Sequence, residues 1–115
     1  MLDKAKLVKT LQHVLRLLLY ERYAELERFT NSNRLSAKEL ESAVKEYPQQ
    51  LAAPPESYLS QLEVIETSDA NPGKWYVDVD LWTVNGQRSD LTLSLTMIDT
   101  NSDLFEIEID NLHVL

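Results

Sequence analysis

Apolar residues recur at three- and four-residue spacing near the start of the chain: Leu7, Val8, Leu11, Val14, Leu15, Leu18 and Leu19. That spacing places them on one face of an α-helix, with Asp3 where an N-cap belongs. Arg22 would fall inside this stripe if the helix ran on, whereas Tyr23, Leu26 and Phe29 begin a fresh one, so a break is expected at 20–22. "TNSN" at 30–33 reads as a loop. In "LSAKEL", Ser36 is an N-cap, Glu39 its capping-box partner at N3, and Leu35 a staple to Leu40. Leu40, Ala43, Val44 and Tyr47 form the face to be buried, and Pro48 ends the helix. "QQLAAPP" is a loop whose prolines can open a short helical segment through Tyr58 and Leu59.

From Leu62 the period changes to two. "LEVIET" is a strand and "DANPG" the turn after it. In residues 74–84, Trp75, Val77, Val79 and Leu81 alternate with Tyr76, Asp78, Asp80 and Trp82. In 88–98, Ser89, Leu91, Leu93, Leu95 and Met97 alternate with Arg88, Asp90, Thr92, Ser94, Thr96 and Ile98. The last segment sets Phe105, Ile107, Ile109, Asn111 and His113 against Leu104, Glu106, Glu108, Asp110 and Leu112. Such alternation implies an antiparallel sheet with one dry and one wet face. The expected fold is one α+β domain over residues 1–115, with a helical part at 1–61 and a β-meander at 62–115. Its N-terminal helices would pack on one face of a curved, mostly antiparallel four-stranded sheet.

The turn at Asn85-Gly86 decides which side chains meet. A two-residue turn would set Asp80 beside Leu91 and mix the faces along the whole hairpin. A three-residue loop, Val84-Asn85-Gly86 with Gly86 left-handed, pairs Trp82 with Arg88, Val79 with Leu91 and Asp80 with Asp90. A loop of Asn85-Gly86-Gln87 would instead set Asp80 opposite Thr92 and Trp82 opposite Asp90. Turn chemistry favours the first of these, at the cost of a like-charge pair.

Charge is placed unevenly. Residues 1–60 carry nine Lys/Arg against eight Asp/Glu, and residues 61–115 carry two against eleven, for a net −8. Phosphate would be repelled by such a second half, which argues against direct nucleic-acid binding. It suits a basic protein partner, or solubility alone. The chain lacks cysteine, which removes disulfides and thiolate chemistry. Neither a signal-peptide layout nor an apolar run of bilayer length is visible, so a cytoplasmic protein without membrane contact is expected.

The acidic face comprises Asp78, Asp80, Asp90, Glu106, Glu108 and Asp110. Asp80 and Asp90 could make a cation site or an acid/base pair, but the simpler expectation is a solvated strand face. The dry face holds no carboxylate and no lysine. Its polar exceptions, Ser89, Asn111 and His113, would cluster at one end if Met97 faces Phe105. A Ser-His pair there lacks an orienting acid, so no catalytic residue, metal ligand or cofactor is assigned. His13 lies off the helical stripe and is expected at the surface. Any pocket would fall between Tyr23, Tyr58 and the dry face. On the wet side, Trp82 beside Arg88, with Leu112 and Val114 on the neighbouring strand, has the composition of a contact hot spot.

The order of elements resembles the NTF2-like (cystatin-like) superfamily. More narrowly, "KWYVDVDLWT", "GQRSDLTLSLTMID" and "IEIDNLHVL" resemble a family of small bacterial domains of uncharacterised function. The resemblance implies helices laid across a curved antiparallel sheet, and it carries no assigned chemistry. Relatives with catalytic activity place an acidic base inside the cone, where this chain has none on its strands. The expected function is therefore a non-catalytic interaction domain, making protein–protein contact or a homodimer through the sheet. A small-molecule binder or cryptic enzyme with a pocket under the sheet is the first alternative. An acidic inhibitor or immunity-type protein with a basic partner is the second.

Overall fold

The computed structural model describes residues 2–30, 34–67 and 72–114. Helix α1 (Lys4–Leu19) is capped by Asp3, whose carboxylate accepts from the Lys6 N–H. It ends where the stripe predicted. The Arg22 N–H reaches the Leu17 carbonyl and the Glu21 N–H that of Leu18, the paired bonds of a Schellman ending. Glu21 takes the left-handed residue of that ending, at φ 60°. Helix α2 (Tyr23–Phe29) follows, then α3 (Ala37–Glu46), which carries both bonds of the Ser36/Glu39 capping box. Of the expected loop at 30–33, Thr30 caps α2, and 31–33 lie outside the described residues.

The "QQLAAPP" segment is not wholly a loop. Leu51–Ala52 form a short strand, β1, ahead of helix α4 (Glu56–Ser60). Strands β2 (Val64–Glu66), β3 (Lys74–Thr83), β4 (Arg88–Ile98) and β5 (Glu106–Val114) complete an antiparallel sheet ordered β1-β3-β4-β5, with β2 also on β3. The sheet thus has five strands, because β1 and β2 share one edge of β3. β1 pairs with Trp82 and Thr83, and β2 with Trp75, Tyr76 and Val77. Most of the "DANPG" turn lies outside the described residues.

All eleven residues assigned to the dry face, from Trp75 to Ile109, are buried against Leu7, Leu11, Val14, Leu18, Leu26, Leu40 and Leu59. This apolar layer fills the space between helices and sheet. Hydrogen bonds at Thr10 and Lys6 tie the first helix to the last hairpin. The Phe105 N–H donates to Thr10 Oγ1 at 3.0 Å, and Lys6 Nζ donates to the Thr100 carbonyl at 2.7 Å. Lys6 also meets Asp99 at 3.0 Å and lies over the Phe105 ring. His13 is not simply at the surface: it is half-buried, with its ring 4.6 Å from Phe29 edge to face.

Candidate functional site

Paired residues share a face, so the ladder registers determine what the outer surface of the sheet presents. Around the turn, the three-residue loop forms as expected: Gly86 is left-handed at φ 76°, Trp82 pairs with Arg88, and the Thr83 N–H bonds the Gln87 carbonyl. Two residues further on, Asp80 pairs with Thr92 rather than Asp90, and Val79 with Leu93 rather than Leu91. Between these pairs, Ser89, Asp90 and Leu91 all oppose Leu81. The irregularity separates Asp80 from Asp90 and so removes the like-charge pair. Ser89 closes it, donating to the Leu81 carbonyl at 2.7 Å while accepting the Leu91 N–H at 3.1 Å. Asp90 accepts the Tyr47 hydroxyl at 2.7 Å, which raises the Tyr47 pKa, the hydrogen bond being the main cause.

The β4–β5 ladder shifts by one residue instead. Leu95 pairs with Ile109, but Ser94 pairs with Asn111, leaving Asp110 as the additional residue. Met97 faces Ile107, not Phe105. Beyond the shift the faces exchange: Leu112 pairs with Leu93 and Val114 with Leu91, both on the helix side, and Leu112 is buried. They do not extend an apolar patch around Trp82. Asn111 and His113 pair with Ser94 and Thr92 on the outer face. Burial of Leu112 explains the bulge, because uninterrupted alternation would have turned it to water.

The expected pocket of Tyr23, Tyr58, Ser89, Asn111 and His113 is therefore not assembled. Tyr23 belongs to the core beside the helix break, where burial first, and then Glu21 and Glu41, raise its pKa. Ser89 is engaged by the strand irregularity, and Asn111 accepts the Leu112 N–H at 2.9 Å.

The outer aspartates are organised by β4. Thr92 donates to Asp80 at 2.9 Å, Ser94 to Asp78 at 2.7 Å and Thr96 to Asp110 at 2.6 Å. A column of hydroxyls thus orients acids on both neighbouring strands. Glu106 and Glu108 stand beyond it, opposite Ile98 and Thr96. Among the described residues, no three His, Asp or Glu side chains converge as metal ligands would.

At the β3 edge, neither β1 nor β2 covers residues 78–81. Tyr58 reaches into this interval from α4, and its hydroxyl accepts the Asp80 N–H at 2.8 Å. Its pKa is raised, mainly by burial. The Tyr58 ring meets Trp82 edge to face at 5.6 Å, and the Arg88 guanidinium lies 5.4 Å from its centroid. Arg88 Nε also pairs with Asp80 at 3.0 Å. The Trp82 indole nitrogen is buried and makes no hydrogen bond within the described chain.

A groove of about 450 Å³ opens beside this cluster, lined by Tyr58, Leu62, Ile65, Tyr76, Asp78 and Arg88 among others. Sequence reasoning passed over Tyr76 and Ile65, two exposed apolar residues of this wall. Tyr76 had a signal, an aromatic ring in the polar phase of an alternating strand. Ile65 had little, because Val64 beside it is equally apolar and leaves the phase of a three-residue strand open.

No helix among the described residues is long and apolar enough to cross a membrane. No curated protein and no solved structure matches the chain. One protein family does, over residues 15–115, from the middle of the first helix to the last residue. The chain belongs to that family, the domain of unknown function DUF7668.

Proposed function

We propose that the protein is a non-catalytic interaction domain that makes protein–protein contacts through the outer face of its sheet, around Trp82, Tyr58 and Arg88. The observation that carries this reading is the continuity of aromatic and apolar surface there. Trp82 packs on Tyr58, and the adjoining groove exposes Ile65 and Tyr76 beside the Arg88 guanidinium. Aromatic rings with arginine, ringed by polar groups, are the composition that dominates binding energy in protein interfaces. Leu112 and Val114 have no part in it, and Tyr76 and Ile65 take their place. The order of helices first and antiparallel meander last supports an NTF2-like arrangement for the same domain.

The test is sedimentation velocity and affinity capture from native lysate, comparing wild type with Trp82→Ala and Ile65→Ser. Loss of a partner, or of self-association, with an unchanged circular dichroism spectrum supports the reading. Unchanged mass and unchanged capture in both variants would refute it.

A second reading, a small apolar ligand, is favoured by a different feature. A cleft of about 570 Å³ lies between α1 and the β1–α4 segment, bounded by Leu15, Leu19, Tyr20, Leu51, Pro54 and Leu59. A thermal-shift screen with apolar compounds tests it, with Leu19→Asp as the variant that should abolish any stabilisation.

A further inference from the structure

The outer groove contains two aromatic–aspartate pairs, and among the described residues only one of them is paired with a cation. Tyr58 and Asp80 hold Arg88, with the guanidinium over the ring and Nε on the carboxylate. Tyr76 and Asp78 repeat the combination on the same face of β3, lining the same groove. Across from them β4 supplies Thr96 and Ser94, and β2 supplies Ile65 opposite Tyr76. No Lys or Arg among the described residues forms an ion pair with Asp78.

The second pair is also oriented. Ser94 donates to Oδ1 of Asp78, which fixes the carboxylate and leaves Oδ2 to a donor from outside. Tyr76 is 42% exposed and Ile65 67%, so the aliphatic stem of a long basic side chain would lie against apolar surface while its head met the acid. Around this point the charge is one-sided. Asp78, Asp80, Asp110, Glu106 and Glu108 share the face with Arg88 and Lys74, and Arg88 is already neutralised by Asp80.

We infer that the outer face is the docking surface for a basic protein, with an arginine or lysine of that partner seated on Tyr76 and Asp78, next to Arg88. The inference rests on the reading of this face as an interaction surface and names the chemistry of its partner. Charge complementarity selects this occupant over a second copy, since two such faces brought together would set acid against acid.

The experiment measures fluorescence anisotropy of labelled extended peptides in which arginine alternates with uncharged residues, and of matched glutamate peptides, at low and at high salt. Wild type is compared with Asp78→Asn, which keeps the oxygen that accepts from Ser94, with Tyr76→Ala, and with Glu25→Gln, which removes one charge from the helical side. The arginine peptides should bind, release as salt is raised, and weaken about tenfold or more with either groove variant but less than about twofold with Glu25→Gln. No binding at low salt, or equal weakening by Asp78→Asn and Glu25→Gln, would overturn the inference by showing diffuse attraction at most. The broader reading is separable: a captured partner lost with Trp82→Ala but retained by Asp78→Asn keeps the interaction surface and removes the basic side chain from it.

Discussion

Strand β4 meets its two neighbours through two irregularities that differ by a single residue, with opposite consequences. Toward β3, two additional residues are accommodated opposite Leu81, and because two is the period of a strand, the pairs on either side of them keep their faces. Toward β5, one additional residue, Asp110, is accommodated, and every side chain after it changes face. The first shift moves charge: it parts Asp80 from Asp90 and hands Asp90 to Tyr47. The second moves oil: it buries Leu112. Alternation therefore survives an even insertion and is inverted by an odd one.

The largest expected effect tests the odd shift. Leu112→Ala should cost on the order of 2–4 kcal/mol by urea denaturation, as for a buried leucine. A loss below about 0.5 kcal/mol would return Leu112 to the outer face, where surface substitutions have that size.

Deleting Asp110 asks whether the shift is only an accommodation. Without it, Ile109 and Asn111 would follow one another in an unbroken ladder, and all existing pairs would persist. The expected cost is about 1–2 kcal/mol, the hydrogen bond from buried Thr96 to its carboxylate. Outright unfolding of this variant would mean that the faces do not exchange at this residue. On the other side of β4, Ser89→Ala should cost about 1 kcal/mol, since its hydroxyl substitutes for ladder bonds at Leu81 and Leu91. No measurable loss would leave the even shift held by the turn alone.

The smallest effect is a titration. In the fold the Asp90 carboxylate accepts a hydrogen bond from the Tyr47 hydroxyl and raises that phenol's pKa above the ordinary 10.0. The protonated phenol is the form the fold favours, so this contribution is complete below the ordinary tyrosine value and is lost as pH rises through the raised one. Asp90→Asn should bring the Tyr47 titration to lower pH, as followed by its ring resonances. An unmoved titration would separate Asp90 from Tyr47 in solution.

Much of this architecture was legible in the chain. Helical spacing located α1 and its break, the Ser36/Glu39 pair located the start of α3, and period-two alternation named the eleven buried apolar residues of the dry face from Trp75 to Ile109 but not Leu112. β1 was not legible, because two residues between a polar run and two prolines carry no period. The odd shift left a trace: apolar residues run Phe105, Ile107, Ile109 and then Leu112, Val114, a change from odd to even positions. Reading strict alternation through that change turned Leu112 and Val114 into a surface patch and put Asn111 and His113 inside. The candidate site was half legible. Trp82 and Arg88 were paired correctly, whereas the Tyr58 contribution depends on a short helix reaching a strand edge 22 residues further along the chain, which no local pattern encodes.

The contacts of Lys6 and Thr10 with residues 99–105 have a consequence for the order of events during synthesis. They join segments more than 90 residues apart, so the first helix, although made before the strands, cannot form these bonds until the last hairpin is made. Its leucine stripe is fully covered only once the strands β3 to β5 have followed it. Assembly of this domain should be late and concerted, at the intermediate pace of folds that mix local helices with distant strand pairings, with a stalled chain lacking the final hairpin as an aggregation-prone form.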